Sequence, residues 1–178
     1  MLQNYNKWRV LQVFFDYPLA EGGLQLREIS RKAKLALPSV TAYLQELQKE
    51  NLILKKKHRV QGYPTYAAHR ESRGFRFYKK TDLLIRLHGS GLLQALQDTY
   101  MPESIILFGS AARGEDTENS DVDIFVGASE EKMALDKYEK ILQRKIHLFF
   151  EPNFRKLSPE LKNNLLNGVI LSGYVKVF

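Results

Sequence analysis

The chain has 178 residues, of which 44% are hydrophobic and 26% charged, and it carries a formal net charge of +7. This composition is ordinary for a soluble globular protein with one large domain or two small ones. The absence of cysteine excludes disulfide bonds and thiolate metal sites and fits a reducing compartment. No stretch approaches the ~18 apolar residues of a membrane span, and the first residues lack a signal-peptide core. The sequence therefore predicts a cytoplasmic protein without a membrane partner.

The charge is divided unevenly along the chain. Residues 1–80 contain 16 Lys and Arg against 6 Asp and Glu, a net charge of +10, whereas residues 81–178 have a net charge of −3. A strongly basic surface attracts phosphate groups. We therefore expect two small domains, the first of which has a nucleic acid as its partner.

Apolar spacing predicts three helices in the basic half. Apolar residues recur at helical intervals over residues 7–17 and 26–35, and Pro38 suits the first turn of a third helix over residues 39–49. Two strands follow, at residues 51–54 and 61–66. They are joined by a basic turn that comprises Lys55, Lys56, Lys57, His58 and Arg59.

This order of elements resembles the winged helix-turn-helix domain, with residues 1–72 as the domain. The resemblance implies that the second helix of the pair enters the major groove of DNA and that the hairpin, or wing, touches the backbone. The candidate DNA contacts are Ser39, Thr41, Ala42 and Tyr43 on the helix and Lys55, Lys56, Lys57 and Arg59 on the wing. Because Ala42 is too short to contact a base edge well, phosphate contacts would supply much of the affinity. The alternative, that this domain only mediates protein contacts, stays open.

The apolar spacing over residues 73–100 predicts two helices that bridge the domains. Their apolar positions are helically spaced on both sides of the segment 88–91, where Gly89, Ser90 and Gly91 interrupt the pattern. No strand precedes these glycines, so a helix break is favoured over a second phosphate-binding loop. The first of the two helices is also a candidate dimer contact.

The residues that most clearly carry chemistry lie between positions 104 and 126. Residues 104–108 have the apolar, β-branched character of a buried strand, which stops at Gly109 and Ser110. Glycine allows a sharp turn, and the free N–H groups that follow it, with the Ser110 hydroxyl, suit phosphate oxygens. Asp121 and Asp123 open a second apolar run, and alternation along a strand puts both carboxylates on one face. Such a pair beside a phosphate-holding turn suits Mg²⁺ or Mn²⁺.

Gly109-Ser110, ten intervening residues and Asp121-x-Asp123 resemble the signature of the DNA polymerase beta-like nucleotidyltransferase superfamily, and of its minimal nucleotidyltransferase branch in particular. The resemblance implies an α+β chain, in which the winged helix-turn-helix is followed by a small mixed-sheet nucleotidyltransferase domain over residues 73–178. It further implies that Asp121 and Asp123 bind the metal ion and serve catalysis. The nucleotide, for which ATP is expected, would be held by Gly109, Ser110, Arg113 and Ser120. Arg113 is equally well explained as an ion-pair residue.

Four further elements are predicted beyond this motif. They are a helix over 129–142 with an N-cap at Ser129, a strand over 145–151, a helix that Ser158 caps with Pro159 in its first turn, and a β segment over 169–178 bent at Gly173. Together with the two strands of the motif they complete a small α/β domain.

The strand over residues 145–151, the third of the domain, departs from the family. In the superfamily a third carboxylate projects from it beside the aspartate pair and acts as a metal ligand or a base. Here His147 occupies that position, and a neutral imidazole can accept a proton or bind a metal but brings no negative charge. Glu151 lies four residues further on the same face and is a candidate substitute if the strand end curls inward. A purely structural histidine is the alternative for His147.

Two functions follow from these patterns. The first is a Mg²⁺-dependent enzyme that transfers a nucleoside monophosphate from an NTP to an acceptor hydroxyl and binds DNA through its winged helix. Its acceptor is left open between a protein, as in antitoxins of the minimal branch that modify a partner toxin, and a nucleic-acid end. The second is a catalytically weak or inactive DNA-binding regulator, antitoxin-like, whose second domain binds a nucleotide or a partner. A homodimer is expected in either case because helix-turn-helix proteins often bind two half-sites.

Overall fold

The computed structural model describes residues 5–58 and 62–176 and divides into two compact units, Met1–Lys79 and Lys80–Phe178. Both contain helices packed with a small sheet, so the predicted α+β class is confirmed. Within the described ranges no helix combines the length and the apolar character that crossing a bilayer requires.

The first unit consists of three helices and a three-stranded sheet. Its elements, in chain order, are α1 Tyr5–Asp16, β1 Leu24–Gln25, α2 Leu26–Ala33, α3 Leu37–Lys49, β2 Ile53–Lys57 and β3 Pro64–Ala68. The sheet has the order β1-β3-β2 with antiparallel pairs throughout. The three helices that the apolar spacing predicts are therefore present.

The basic segment after α3 differs from the prediction. Lys55, Lys56 and Lys57 are paired along β2 with residues of β3 and do not form the turn of the hairpin. Their side chains point to solvent, and only Ile53 of β2 is buried, so this strand has little apolar content for sequence reasoning to detect. The hairpin closes instead where the His58 amide donates to the Tyr63 carbonyl, 2.8 Å away.

The core of the first unit includes a buried cation. Aromatic residues of α1, among them Trp8, Phe14 and Phe15, fill the centre. Lys7, on the same helix, is also buried and forms ion pairs with Glu46 of α3, at 2.9 Å, and with Glu50, which caps α3. Burial alone lowers the pKa of Lys7, but the hydrogen bonds to Glu50 and Glu46 outweigh it and raise the pKa above its ordinary value. A charge in this position ties α1 to α3.

Residues 73–100 form two helices, α4 Arg73–Gly89 and α5 Leu92–Tyr100. Phe75, in the first half of α4, belongs to the core of the first unit, and Leu87, near its end, to a core of the second. The helices are separated at Ser90 and Gly91, and Gly91 has a φ of +77°. The glycines of this segment thus end a helix, as the absence of a preceding strand indicates.

The second unit is built on a four-stranded mixed sheet. Its strands are β4 Ser104–Leu107, β5 Val122–Val126, β6 Ile146–Phe150 and β7 Val169–Gly173, in the order β6-β5-β4-β7. β4 is antiparallel to both of its neighbours, whereas β5 and β6 are parallel. After α5, the described part of this unit contains three further helices, α6 Gly109–Arg113, α7 Asp136–Leu142 and α8 Pro159–Leu166, with one turn of 3-10 helix at Phe154–Lys156.

The two faces of this sheet pack against different clusters. Alternate side chains such as Ile105 and Ile124 belong to the larger core, and Ile106 and Phe125 belong to a smaller one that also contains Leu165 of α8. Because side chains alternate along a strand, Asp123 shares the face of Phe125. The smaller cluster therefore covers part of the face that carries the predicted site.

Two predicted elements of this unit have different limits. The helix expected over 129–142 begins only at Asp136, without a side-chain cap, so Ser129 is not its N-cap. The preceding segment is irregular: Met133 and Leu135 pack against the core, and the Tyr100 hydroxyl donates to the Glu131 carbonyl at 2.6 Å. The last strand ends at Gly173, where the chain is bent as predicted (φ +72°), and residues 177–178 lie outside the described ranges.

Candidate nucleotide site and nucleic-acid surface

The turn after β4 lies directly against the Asp123 carboxylate. Gly109 has a φ of +70°, and a Cβ atom on it would be 2.6 Å from Asp123 Oδ2. The amide of Phe108 also donates to the Asp123 carbonyl, at 3.0 Å. Only glycine tolerates both this backbone conformation and this approach. The two halves of the predicted motif are therefore in contact.

The other residues predicted to hold the nucleotide make local contacts. Ser110 is half-buried and accepts, through its carbonyl, a hydrogen bond from the Glu115 amide. Arg113 Nε donates to the Glu115 carboxylate at 2.8 Å, which is the ion-pair alternative for this residue. The Ser120 hydroxyl accepts from the Thr117 amide at 2.9 Å and closes the turn before β5. Both side chains are therefore oriented by residues of the segment between Gly109 and Asp121.

The two predicted metal ligands differ in setting. Asp123 lies within β5 and is half-buried, whereas Asp121 precedes the strand and is exposed. Across residues 5–58 and 62–176, no three His, Cys, Asp or Glu side chains converge as a metal cluster. The oxygen chemistry of the two carboxylates, one of which lies against the glycine turn, nevertheless fits a hard divalent cation whose remaining ligands are phosphate oxygens and water.

His147 stands beside Asp123 on the neighbouring strand. The two residues are partners in the parallel register of β5 and β6, and His147 Nδ1 is 3.3 Å from Asp123 Oδ1. Because an ionised carboxylate only accepts, Nδ1 is the donor, and Nε2 remains for another partner. The imidazole side chain is 62% exposed and the carboxylate 31%, so both are reachable from solvent.

Glu151 does not join this group. It follows β6 and lies four residues beyond His147, or about 13 Å along an extended strand. Its Oε1 accepts from the Asn153 amide at 2.9 Å, and the residue lines a cavity of about 370 Å³ with Glu103 and Tyr174. The Glu151 amide donates to the Val126 carbonyl at 3.3 Å, so the strand pairing continues to this residue. The substitution of Glu151 for the third carboxylate stays a prediction.

Sequence reasoning missed one residue next to this site. Glu139 of α7 holds the start of β6 through the Lys145 ammonium, at 2.7 Å, and the Ile146 amide, at 3.1 Å. A carboxylate six and seven positions before its partners has no recognisable spacing. The contact depends on where α7 ends, which the sequence placed correctly at residue 142.

The candidate DNA contacts are only partly free. Ser39 is exposed on α3, but the Thr41 hydroxyl donates to the Leu37 carbonyl of its own helix at 2.9 Å, and Tyr43 packs against the core. Lys55, Lys56 and Lys57 are exposed along β2. Arg59 lies outside the described residues. The lysines are thus the most accessible part of this surface.

The second unit thus has the arrangement that the sequence motif predicts for a nucleotidyltransferase-type domain, a mixed sheet with a glycine turn packed on the aspartate of the next strand. A family model described as "Nucleotidyltransferase domain" matches residues 89–172. A Methanocaldococcus jannaschii protein provisionally named a protein adenylyltransferase is 40% identical over 83 residues, which cover 42% of this chain and 81% of the relative. The chain belongs to the nucleotidyltransferase-domain family. No solved structure matches it.

Proposed function

We propose that the second unit transfers a nucleoside monophosphate, with ATP as the expected donor, to an acceptor hydroxyl. The observation that carries the proposal is the approach of Gly109 to Asp123, because it joins a phosphate-sized turn to a carboxylate inside a domain of the matching family. Transfer forms a bond between the acceptor oxygen and the α-phosphorus, breaks the bond to the β-phosphate and releases pyrophosphate. The acceptor proton leaves to water or base.

Each residue of the site has a defined part in this proposal. The backbone N–H groups after Gly109, with the Ser110 hydroxyl, bind the phosphate oxygens. Asp121 and Asp123 would hold Mg²⁺ or Mn²⁺, which neutralises phosphate charge when bound. His147 keeps the Asp123 carboxylate in place through Nδ1 and offers Nε2 as a hydrogen-bond acceptor to the incoming hydroxyl.

The acceptor that we propose is a protein hydroxyl. The support is the name of the Methanocaldococcus jannaschii relative, a protein adenylyltransferase, whose matched region spans most of its own length. Nucleic-acid ends remain the second class of acceptor. Incubation of the purified protein with ATP labelled at the α-phosphate, in the presence of cell extract or of tRNA, separates the two by whether label enters protein or RNA.

The test of the site is the double variant Asp121→Asn with Asp123→Asn. We expect transfer of label to be lost and binding of Mg·ATP, measured by calorimetry, to weaken at least about tenfold, since both cation ligands lose their charge. Asp98→Asn, a carboxylate on the exposed side of α5, is the matched control. Transfer that survives the double substitution would contradict the proposal.

For the first unit we propose DNA binding through a winged helix-turn-helix. The support is the element order α1-β1-α2-α3-β2-β3, the sheet order β1-β3-β2 and three exposed lysines on β2. Substituting Lys55, Lys56 and Lys57 with glutamine should weaken DNA binding and reduce the slope of log K against log salt by up to about 3. The control is a triple variant of Lys132, Lys137 and Lys140, which removes the same charge from the second unit. Equal effects of the two variants would contradict a specific wing contact.

A second candidate function is a regulator that binds DNA and uses the second unit as a nucleotide sensor. The observation that favours it is His147, because an imidazole replaces the third carboxylate beside Asp123. This candidate predicts Mg·ATP binding without transfer of label to any acceptor. His147→Asp would then be expected to restore transfer, and a further loss of binding in that variant would argue against this account of the site.

A further inference from the structure

The end of α7 and the start of β6 are joined through a single carboxylate. Glu139 Oε1 accepts from the Ile146 amide at 3.1 Å, and Oε2 accepts from the Lys145 ammonium at 2.7 Å. The Glu139 carbonyl also accepts from the Arg144 amide, at 3.3 Å. One residue thus fixes the turn between these elements from both its side chain and its backbone.

This carboxylate satisfies a group that the sheet leaves open. Among the described strands, β6 lies at an edge of the sheet and pairs with β5 alone. The Lys145 carbonyl accepts a hydrogen bond from the Val122 amide at 2.8 Å, on the β5 side. The Ile146 amide donates instead to the Glu139 carboxylate. Register is weakly specified in a strand with little burial, and only Ile146 of β6 is buried. Glu139 therefore fixes the first residue of β6, at which its pairing with β5 begins.

That register determines the contact in the proposed site. Ile146 pairs with Val122, and one residue later His147 pairs with Asp123. A one-residue slip would move His147 to the opposite face of the sheet and replace it with a neighbour. The Glu139 side chain is 16% exposed, whereas Lys145 is 75% exposed. The shielded part of these Glu139 contacts, here called the clasp, is therefore the hydrogen bond from the Ile146 amide.

We propose that Glu139 is a positioning residue for the nucleotide site: by holding Lys145 and the Ile146 amide it fixes the start of β6 and thereby the placement of His147 against Asp123. This inference rests on the proposed function of the same site. The electrostatics agree with it, since the hydrogen bond from Lys145, followed by the one from Ile146, lowers the pKa of Glu139. The Glu139 hydrogen bond raises the pKa of Lys145, to which Asp136 and Asp121 also contribute.

Three variants separate the parts of the clasp. Glu139→Ala removes both contacts, Glu139→Gln keeps an oxygen for the Ile146 amide but loses the ion pair, and Lys145→Met removes only the ammonium. Glu130→Gln, an exposed glutamate in the segment before α7, is the control. Amide exchange at Val122 and the imidazole resonances of His147, identified with His147→Gln, report the geometry by NMR. Calorimetry with Mg·ATP reports binding.

In Glu139→Ala we expect Val122 exchange to quicken about tenfold or more, the His147 resonances to shift and ATP affinity to fall roughly tenfold. In Glu139→Gln the Val122 exchange rate and the ATP affinity should lie within about threefold of their wild-type values, and the His147 resonances should return to their wild-type positions. Glu139→Ala with a lower melting temperature but wild-type Val122 exchange and His147 resonances would overturn the inference, because the role would then be structural only. If the wild type itself fails to bind ATP, the proposed function fails, and the NMR measurements still decide the role of Glu139.

Discussion

Replacing Gly109 with alanine tests the contact on which the proposed site depends. The new Cβ would lie 2.6 Å from Asp123 Oδ2, whereas ordinary contact begins near 3.4 Å, so the oxygen must retreat by roughly 0.8 Å. The positive φ of this residue adds a backbone cost of about 1–2 kcal/mol for alanine. In a domain of roughly 100 residues, each kcal/mol lowers the melting temperature by about 4–8 °C.

Gly91→Ala separates the two effects. Gly91 has a φ of +77°, close to that of Gly109, but nothing lies within 4 Å of the position of its Cβ. Both variants therefore pay the backbone cost, and only Gly109→Ala displaces the Asp123 carboxylate. Because a shift of about 1 Å at reacting groups can cost about 10²-fold in rate, we expect transfer to fall by that order relative to Gly91→Ala.

The assay compares the two variants in the same preparation. Circular dichroism gives the two melting temperatures, calorimetry the affinity for Mg·ATP, and release of labelled pyrophosphate the rate of transfer. Equal affinity and equal rate in the two variants, after correction for the folded fraction, would refute the reasoning. Asp123 would then tolerate displacement, and the glycine would serve the turn alone.

Other consequences of the structure can be measured independently. Lys7→Met leaves Glu46 and Glu50 without their buried cation, so the free energy of unfolding in urea should fall by about 1–2 kcal/mol. An unchanged value would show that the ion pairs contribute nothing. Gly173→Ala would bring a Cβ within 2.0 Å of the Glu103 carbonyl oxygen, and we expect loss of the β7 pairing, seen as rapid amide exchange there; retained protection would contradict this. The lowered pKa of Glu139 stabilises the fold at pH values above about 4.3 and this contribution disappears as the pH falls through the lowered value. The difference in unfolding free energy between wild type and Glu139→Gln should therefore be constant near neutral pH and shrink on acidification, whereas a difference that persists in acid would exclude the ion pair as its source. Because the pKa of Lys145 is raised, this difference in unfolding free energy should stay constant up to about pH 10.4. The same contribution is then lost as the pH rises through the raised pKa.

The parts of the fold with one buried face were predictable from the sequence. The helix predicted over residues 7–17 is present at Tyr5–Asp16, because Trp8 and Phe14 mark a single apolar stripe. The α8 helix begins at Pro159 after the Ser158 cap, whose hydroxyl accepts from the Leu161 amide at 3.2 Å. In these segments local preference and tertiary burial agree, so a pattern of residue types is sufficient.

The parts that failed depend on contacts distant in sequence. Nothing local distinguishes a lysine in an exposed strand from one in a turn, so the position of Lys55–57 on β2 required knowledge of the partner strand. The segment before α7 has the acidic residues of a helix start, but it is irregular, with Met133 and Leu135 packed against the core. The His147 to Asp123 contact, by contrast, agrees with the position expected on the neighbouring strand.

The order of strands in the second unit has a kinetic consequence. β4 lies between β5 and β7. Its residue Ser104 pairs with Gly173 of β7, which lies roughly 70 positions further along the chain. Closing so long a loop is slow, whereas the pairing of Leu24 with Tyr66 in the first unit closes a loop of roughly 40 residues. We expect refolding in two phases, the faster from the first unit. The nucleotide site would appear only in the slower phase, as the strands that carry its residues come together.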